Sequence, residues 1–110
     1  MDEVERLLRL LSVNHEASVR QVLSGRETQG LTDVLGPKLC LLVRLGALLA
    51  LGAPTSAVKA TVAESVDAGA TEEEIVDVLV TVAPTVGLAR VVGCAPRLAT
   101  ALGYEIDGSD

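Results

Sequence analysis

The sequence has almost no aromatic residues. Tyr104 is the single tyrosine, and phenylalanine and tryptophan are absent from the 110 residues, although hydrophobic residues make up 49% of the chain. Leucine, valine and alanine must therefore build the core, and these side chains let helices pack closely while burying little apolar area each. Because so small a core is marginal, we expect the chain to gain burial by associating with further copies of itself.

Basic residues are also scarce. Nine lysines and arginines stand against fifteen acidic residues, which gives a net charge of −6 and no basic patch, and this argues against nucleic acid and membrane surfaces as partners. The longest apolar run, Leu39 to Pro54, contains Arg44 and is shorter than the roughly 18 residues of a membrane span. The first residues are acidic, and Arg6 and Arg9 interrupt the leucines that follow, so we expect no signal peptide and a cytoplasmic protein.

Cysteine and histidine are too few for most metal or redox sites. Cys40 and Cys94 are far apart in apolar sequence and form no CxxC motif, and His15 is the only histidine. We therefore expect two reduced, buried thiols, with neither a disulfide nor a metal site, and no bound cofactor.

What the sequence does contain is a series of short helical patterns. Asp2 is placed to cap a first helix that ends at Leu11, and Asn14 to cap a second that ends at Gly25. The polar segment from Arg26 to Gly36 has no sustained period and predicts a loop, with one possible helical turn near its end and a possible role as a flap.

Four further helices are predicted after this loop. The segment from Pro37 to Leu51 is apolar on nearly every side, which is typical of a central helix surrounded by others. A helix from Pro54-Thr55 to Gly69 carries a valine stripe at Val58, Val62 and Val66. The last helix is predicted over Leu88–Leu102, with Pro96 inside it.

The helix between the one with the valine stripe and the last one has the clearest start signal. Thr71 and Glu74 have the spacing of a capping box, in which each side chain accepts a hydrogen bond from the other residue's backbone amide. Ile75, Val78, Leu79 and Val82 form its predicted core stripe, and Pro84 with Gly87 is expected to kink and then end it.

Four segments together resemble the carboxymuconolactone decarboxylase family, which includes alkylhydroperoxidase D. They are the apolar helix after GPK, the helix ending in AGAT, the start EEEIVDVL and the turn APTVGLARVV, and they cover Gly36 to Gly103. The resemblance implies an all-α fold, an alkylhydroperoxidase D-like bundle of five to six helices. It also implies association into a trimer or hexamer.

The redox chemistry of that family has no counterpart here. Its redox members carry C-x-x-C-x-x-x-H on the helix before the AG-T turn, and these positions correspond to Pro54, Ala57 and Thr61. The glutamate that the family often has after PK falls near Leu41. Since no CxxC occurs in any register, dithiol peroxidase activity is not expected.

Two arginines and a threonine are the candidate ligand-binding residues. Arg44 lies within an apolar helix, where a buried guanidinium requires a partner; an ion pair with Glu64 or Asp77, between helices or between subunits, and an anionic ligand are the alternatives. Arg90 follows a helix start and either binds an anion or lies in solvent or at an interface. Thr61 presents its hydroxyl to a cavity or bonds to its own helix.

The candidates for catalysis are Glu64, His15 and Cys94. Glu64 or His15 would transfer a proton if either met Arg44 or Arg90 at one cavity. The simpler interpretation of His15 is an exposed residue in a first helical turn. Cys94 follows Arg90 by four residues, on the same helix face, but an inert buried thiol is the more common case.

These patterns predict a single domain over residues 1–110, with N-terminal helices at 2–25, a family core at 36–103 and an acidic tail at 104–110. We expect a small-molecule-binding or structural oligomer with a depleted active site. A non-redox enzyme of decarboxylase or isomerase type, acting on a small anionic metabolite, is the alternative, and a one-cysteine peroxidase is a third.

Overall fold

The computed structural model describes residues 2–28 and 34–105, and these form six helices and no strands. The all-α prediction is therefore confirmed. The helices are α1 (Glu3–Leu11), α2 (Glu16–Thr28), α3 (Gly36–Leu51), α4 (Thr55–Asp67), α5 (Glu72–Val86) and α6 (Leu88–Ala101). The chain divides into two compact units, Met1–Val34 and Leu35–Asp110. That residues 1–110 form one domain stays a prediction.

The first unit contains α1 and α2. Asp2 caps α1 as predicted, since its carboxylate accepts a hydrogen bond from the Glu5 amide at 2.7 Å. The prediction of Asn14 as the cap of α2 is wrong. His15 occupies that position: its carbonyl accepts from the Val19 amide, and its ring Nδ1 accepts from the Ser18 amide at 3.3 Å.

The loop after α2 begins later than predicted. The helix continues past Gly25 to Thr28, because a glycine inside a helix costs only about 1 kcal/mol and does not by itself end it. The rest of the predicted loop and flap falls largely on residues 29–33, which lie outside the described residues, as do residues 106–110 of the acidic tail.

The second unit packs α3 against α4, α5 and α6, and α4 against α6. Its core is built from leucine, valine, isoleucine and one cysteine, as the lack of aromatic residues requires. Members that are at least 97% buried include Leu45, Leu49, Val58, Val62, Ile75, Cys94 and Leu98.

Two side chains predicted to be buried lie in solvent. Val66 is 50% exposed, since eight residues turn a helix about 80° past Val58, and Ser65 is buried in its place. Arg44 is exposed as well and forms no ion pair with any described residue, so the predicted pair with Glu64 or Asp77 is not formed between helices of one chain, and a pair between subunits stays a prediction. The reason is that α3, although apolar on nearly every side, has helices of its own unit against only part of its surface.

The capping box of α5 is present and is linked to α3. Glu74 Oε1 accepts from the Thr71 amide at 2.9 Å, and Thr71 Oγ1 accepts from the Glu74 amide at 3.1 Å. Glu74 Oε2 accepts from Lys38 Nζ at 2.9 Å. The Thr71 amide first, and then Lys38, lower the pKa of Glu74 below the ordinary value of 4.5. One carboxylate thus caps α5 and joins it to the first turn of α3.

Two prolines lie inside helices without ending them. Pro84 is within α5, which continues to Val86 and stops at Gly87, where φ is +88°. Pro96 is within α6, which runs without a break from Leu88 to Ala101, so the predicted last helix is confirmed to within one residue.

The carboxyl end of α3 is closed by a glycine and two arginines. Gly52 is left-handed, with φ +69° and ψ +37°. Arg97 donates from one guanidinium nitrogen to the carbonyls of Gly52 and Ala53, at 2.8 and 2.7 Å. A Cβ at position 52 would collide with the Arg90 guanidinium. Both arginines therefore lie where the dipole of α3 is negative.

The substitution Gly52→Ala is expected to lower the free energy of unfolding by about 1–2 kcal/mol, because a left-handed residue with a Cβ is strained. The displacement of Arg90 adds to this loss. The matched control is Gly93→Ala, which lies inside α6, where the added methyl group would meet nothing within 4 Å beyond its own stretch of helix. We expect it to gain up to about 1 kcal/mol. Urea unfolding measures the free energy of unfolding of both variants. Equal effects of the two substitutions would contradict the role given to Gly52 at the end of α3.

The substitution Glu74→Gln is expected to flatten the acid limb of the stability profile. A carboxylate whose pKa is lowered by folding stabilises the protein above its unfolded value of 4.5, and this contribution is lost as the pH falls through the folded value. Unfolding free energies measured from neutral pH downward should therefore fall less steeply in this variant than in the wild type. Glu73→Gln, in the same helical turn, is the control and should keep the wild-type slope.

Candidate functional site

A groove of ≈ 730 Å³ runs between α3 and α5. Its walls are mostly aliphatic, and several of its residues are partly exposed, including Leu39 at 50% and Val43 at 62%. Gly46 forms part of the floor and keeps the helices close, since a Cβ there would touch Val78 and Val82 at 3.4 and 3.5 Å. The remaining lining residues are Leu42, Ala47, Ala50, Glu74, Asp77, Thr81, Thr85 and Val86.

The polar groups of the groove differ from those of a redox site. No cysteine or histidine lines it. Glu74 is engaged by Thr71 and Lys38, whereas Asp77 forms no ion pair with any described residue. Thr81 and Thr85 provide hydroxyl groups one helical turn apart. The groove can therefore hold an apolar molecule and offer it a few hydrogen-bonding partners.

A second pocket, of ≈ 360 Å³, lies beside α6 at the carboxyl end of α3. Arg90 and Arg97 line it together with Cys94, and the other lining residues are Gly52, Val86, Ala89 and Gly93. No acidic residue of the described ranges is among them. Arg90 is exposed and makes no hydrogen bond or ion pair with another described residue, so its guanidinium donors are available to a ligand.

Cys94 is present in this pocket as a buried thiol. It is 2% exposed, and Sγ donates a hydrogen bond to the Leu49 carbonyl at 2.9 Å. This hydrogen bond requires the proton, because a thiolate would face the carbonyl lone pairs. Cys40, by contrast, is only partly buried, which corrects the prediction of two buried thiols.

The other predicted site residues do not come together at either place. Thr61 is buried and lines neither the groove nor the pocket, and its carbonyl accepts from Ser65 Oγ at 2.7 Å. Arg44 and Glu64 are exposed and line neither. His15 belongs to the first unit, where its Nδ1 and Ser18 Oγ are 2.9 Å apart.

A shallow acidic pocket of ≈ 520 Å³ lies along the outer face of α5. Glu72, Glu73, Asp77 and Tyr104 line it, with Val76 and Val80. A hydrogen bond and the negative charge of Glu72 raise the pKa of the Tyr104 hydroxyl. Within the described ranges, no group of three or more histidine, cysteine or acidic side chains could hold a metal ion. No helix of the same ranges is long and apolar enough to cross a membrane.

Arg97 is the residue that the sequence patterns failed to single out. It lies seven residues after Arg90, which is two helical turns, so both side chains leave α6 on the same face. The sequence also carries a usable signal, because residues 78–103 contain both arginines and no acidic residue. In a chain of net charge −6 such a stretch marks a basic region.

Comparison with known proteins agrees with this all-α architecture. The model of the carboxymuconolactone decarboxylase family matches residues 20–100, which extends the resemblance from Gly36 back into α2. Neither the curated proteins nor the solved structures gave a significant match. Since the family model covers well over half of the sequence, the chain belongs to the carboxymuconolactone decarboxylase family.

Proposed function

We propose that this chain is a small-molecule-binding homo-oligomer of the carboxymuconolactone decarboxylase family and that it works without a dithiol. The groove between α3 and α5 is its binding site. The observation that carries this proposal is the groove itself, ≈ 730 Å³ with aliphatic walls and neither cysteine nor histidine. Concave, mostly apolar sites with a few polar groups are the usual form of small-molecule sites.

The arrangement of the ionisable groups favours binding over acid-base catalysis. A non-redox enzyme acting on an anion needs an arginine and a proton-transferring group at one cavity. No described carboxylate or histidine lines the pocket of Arg90, and Asp77 lies toward the far end of the groove, nine residues or about 13 Å along α5 from Val86, so the two groups do not meet. Glu64 and Arg44 line neither.

The state of Cys94 speaks against a one-cysteine peroxidase. Peroxide reduction needs an accessible thiolate, and redox-active cysteines are solvent-accessible. Cys94 is 2% exposed and uses its proton in the hydrogen bond to Leu49. We therefore assign it a packing role between α6 and α3.

Association into a trimer or hexamer is supported by apolar residues outside the groove. Leu51 is 78% exposed, Leu88 83% and Val92 72%, and the last two lie one turn apart on α6. Exposed apolar surface of this kind is covered in most soluble proteins, and further copies of the chain would cover it here.

Binding in the groove is testable with N-phenyl-1-naphthylamine, a neutral apolar dye whose fluorescence rises in apolar surroundings. We expect saturable binding with one site per protomer. Ala47→Phe fills the groove from an exposed position on α3 and should weaken dye binding by about tenfold or more. Ala63→Phe makes the same change at an exposed position on α4 and should bind as the wild type does.

Sedimentation equilibrium of the same three proteins reports the subunit number. A trimer or hexamer that persists in Ala47→Phe supports the proposal. A monomeric wild-type protein contradicts the association, and a groove substitution that dissociates the oligomer identifies the groove as a subunit contact, which contradicts the binding site. Equal dye binding by Ala47→Phe and Ala63→Phe would also contradict the groove as the binding site.

A further inference from the structure

We infer that the molecule bound in the groove is an unbranched aliphatic carboxylate, with its head group on Arg90 and its hydrocarbon body between α3 and α5. This inference rests on the proposed function and specifies its ligand. It combines the groove and the arginine pocket into one site with an apolar body and a cationic end.

The first support is the distribution of charge in the second unit. Residues 46–63 and 78–103 contain no acidic residue, and their charged residues are Lys59, Arg90 and Arg97. The acidic residues Glu72, Glu73 and Glu74 lie instead at the start of α5. The carboxyl end of α3 is therefore a positively charged region in a protein of net charge −6, and no carboxylate of the described residues lines the arginine pocket there.

The second support is the surplus of hydrogen-bond donors at this end. Arg97 uses one guanidinium nitrogen for the carbonyls of Gly52 and Ala53 and thereby closes α3. Arg90 lines the same pocket and has no partner among the described residues. The α3 dipole is equivalent to about half a negative charge, so it does not balance two guanidinium groups. A carboxylate, which a guanidinium can bind with two parallel hydrogen bonds, restores the balance.

The third support is that the two concave surfaces are neighbours and share one lining residue. Val86 lines both the groove and the arginine pocket. From Glu74 to Val86, α5 rises about 18 Å along the groove, which provides length for an extended chain instead of a compact ring. The lining residues between these ends are mainly valine, leucine and alanine, with two threonines.

Asp77 is the feature that would favour a cationic head group over an anionic one. It lies toward the opposite end of the groove, is exposed and has no cationic partner, so an aliphatic amine bound in the reverse direction would place its charge there. Asp77 is a single carboxylate, and since both it and Arg90 are exposed, burial strengthens neither ion pair. The arginine end, with two guanidinium groups, is the stronger site.

Displacement of N-phenyl-1-naphthylamine by decanoate, decanol and decylamine tests the inference. In the wild type we expect decanoate to bind about tenfold more tightly than decanol, and decylamine no better than decanol. Rising salt should weaken decanoate binding and leave decanol unchanged. Equal affinity for decanoate and decanol, or a preference for decylamine, overturns the inference.

Two variants and one control locate the head group. Arg90→Gln should remove the preference for decanoate over decanol, whereas Arg44→Gln, the same change of charge at an exposed position outside both surfaces, should keep it. Gly93→Leu fills the pocket from a position with open space and favours the helix, so it should fold, bind the dye and lose the preference.

The outcomes separate this inference from the proposed function. If the dye does not bind to the wild-type protein, the groove is contradicted as a binding site. Dye that binds, with a preference for decanoate that survives Arg90→Gln and Gly93→Leu, contradicts only the assignment of the head group.

Discussion

The structure of the second unit depends on α3, a helix that is apolar on nearly every side in a bundle of only four helices. Its Leu41, Leu45 and Leu49 are buried. Its other face, with Leu39 and Val43, has no helix of the unit against it and forms a wall of the groove. Small side chains shape this groove. Gly46 lets α5 approach α3 closely at the floor, and no phenylalanine or tryptophan is available to fill the space above it. The groove is thus a consequence of composition as much as of topology.

The polar interactions of the unit are concentrated at the two ends of α3. At its start, Lys38 and Glu74 join it to the capping box of α5. At its end, Arg97 holds the last carbonyls while Arg90 lies over Gly52. The first end is a satisfied network, in which the carboxylate has both a cation and an amide. The second end has more guanidinium donors than the last carbonyls of α3 accept. The first end therefore joins two helices, whereas the second can also bind an anion.

The sequence predicted those parts of the fold that depend on local chemistry. The Thr71–Glu74 capping box, the Asp2 cap and the glycine ends of α3 and α5 follow from backbone hydrogen bonding and from the need for positive φ, and each is present. The His15 cap was missed because histidine is seldom used in this role, and Asn14 beside it carries the stronger signal.

The site was harder to predict than the fold because it depends on which faces the helices cover. An apolar helix indicates burial on all sides, and this led to the wrong expectation for Arg44. Thr61 was chosen from its place in the family motif, yet it lies in the packed interior. Arg97 has no motif, and only the meeting of α6 with the end of α3 gives it a role. Family membership, which the match over residues 20–100 establishes, specifies the scaffold and leaves the ligand open.

The most direct test of the central claim is a crystal structure of the protein soaked with ω-bromodecanoate, in which the anomalous signal of bromine marks the end of the chain. The account predicts a carboxylate at Arg90 and a bromine peak in the groove between α3 and α5, toward Leu39. A groove filled by side chains of a neighbouring subunit, or a bromine peak only outside the groove, would contradict it.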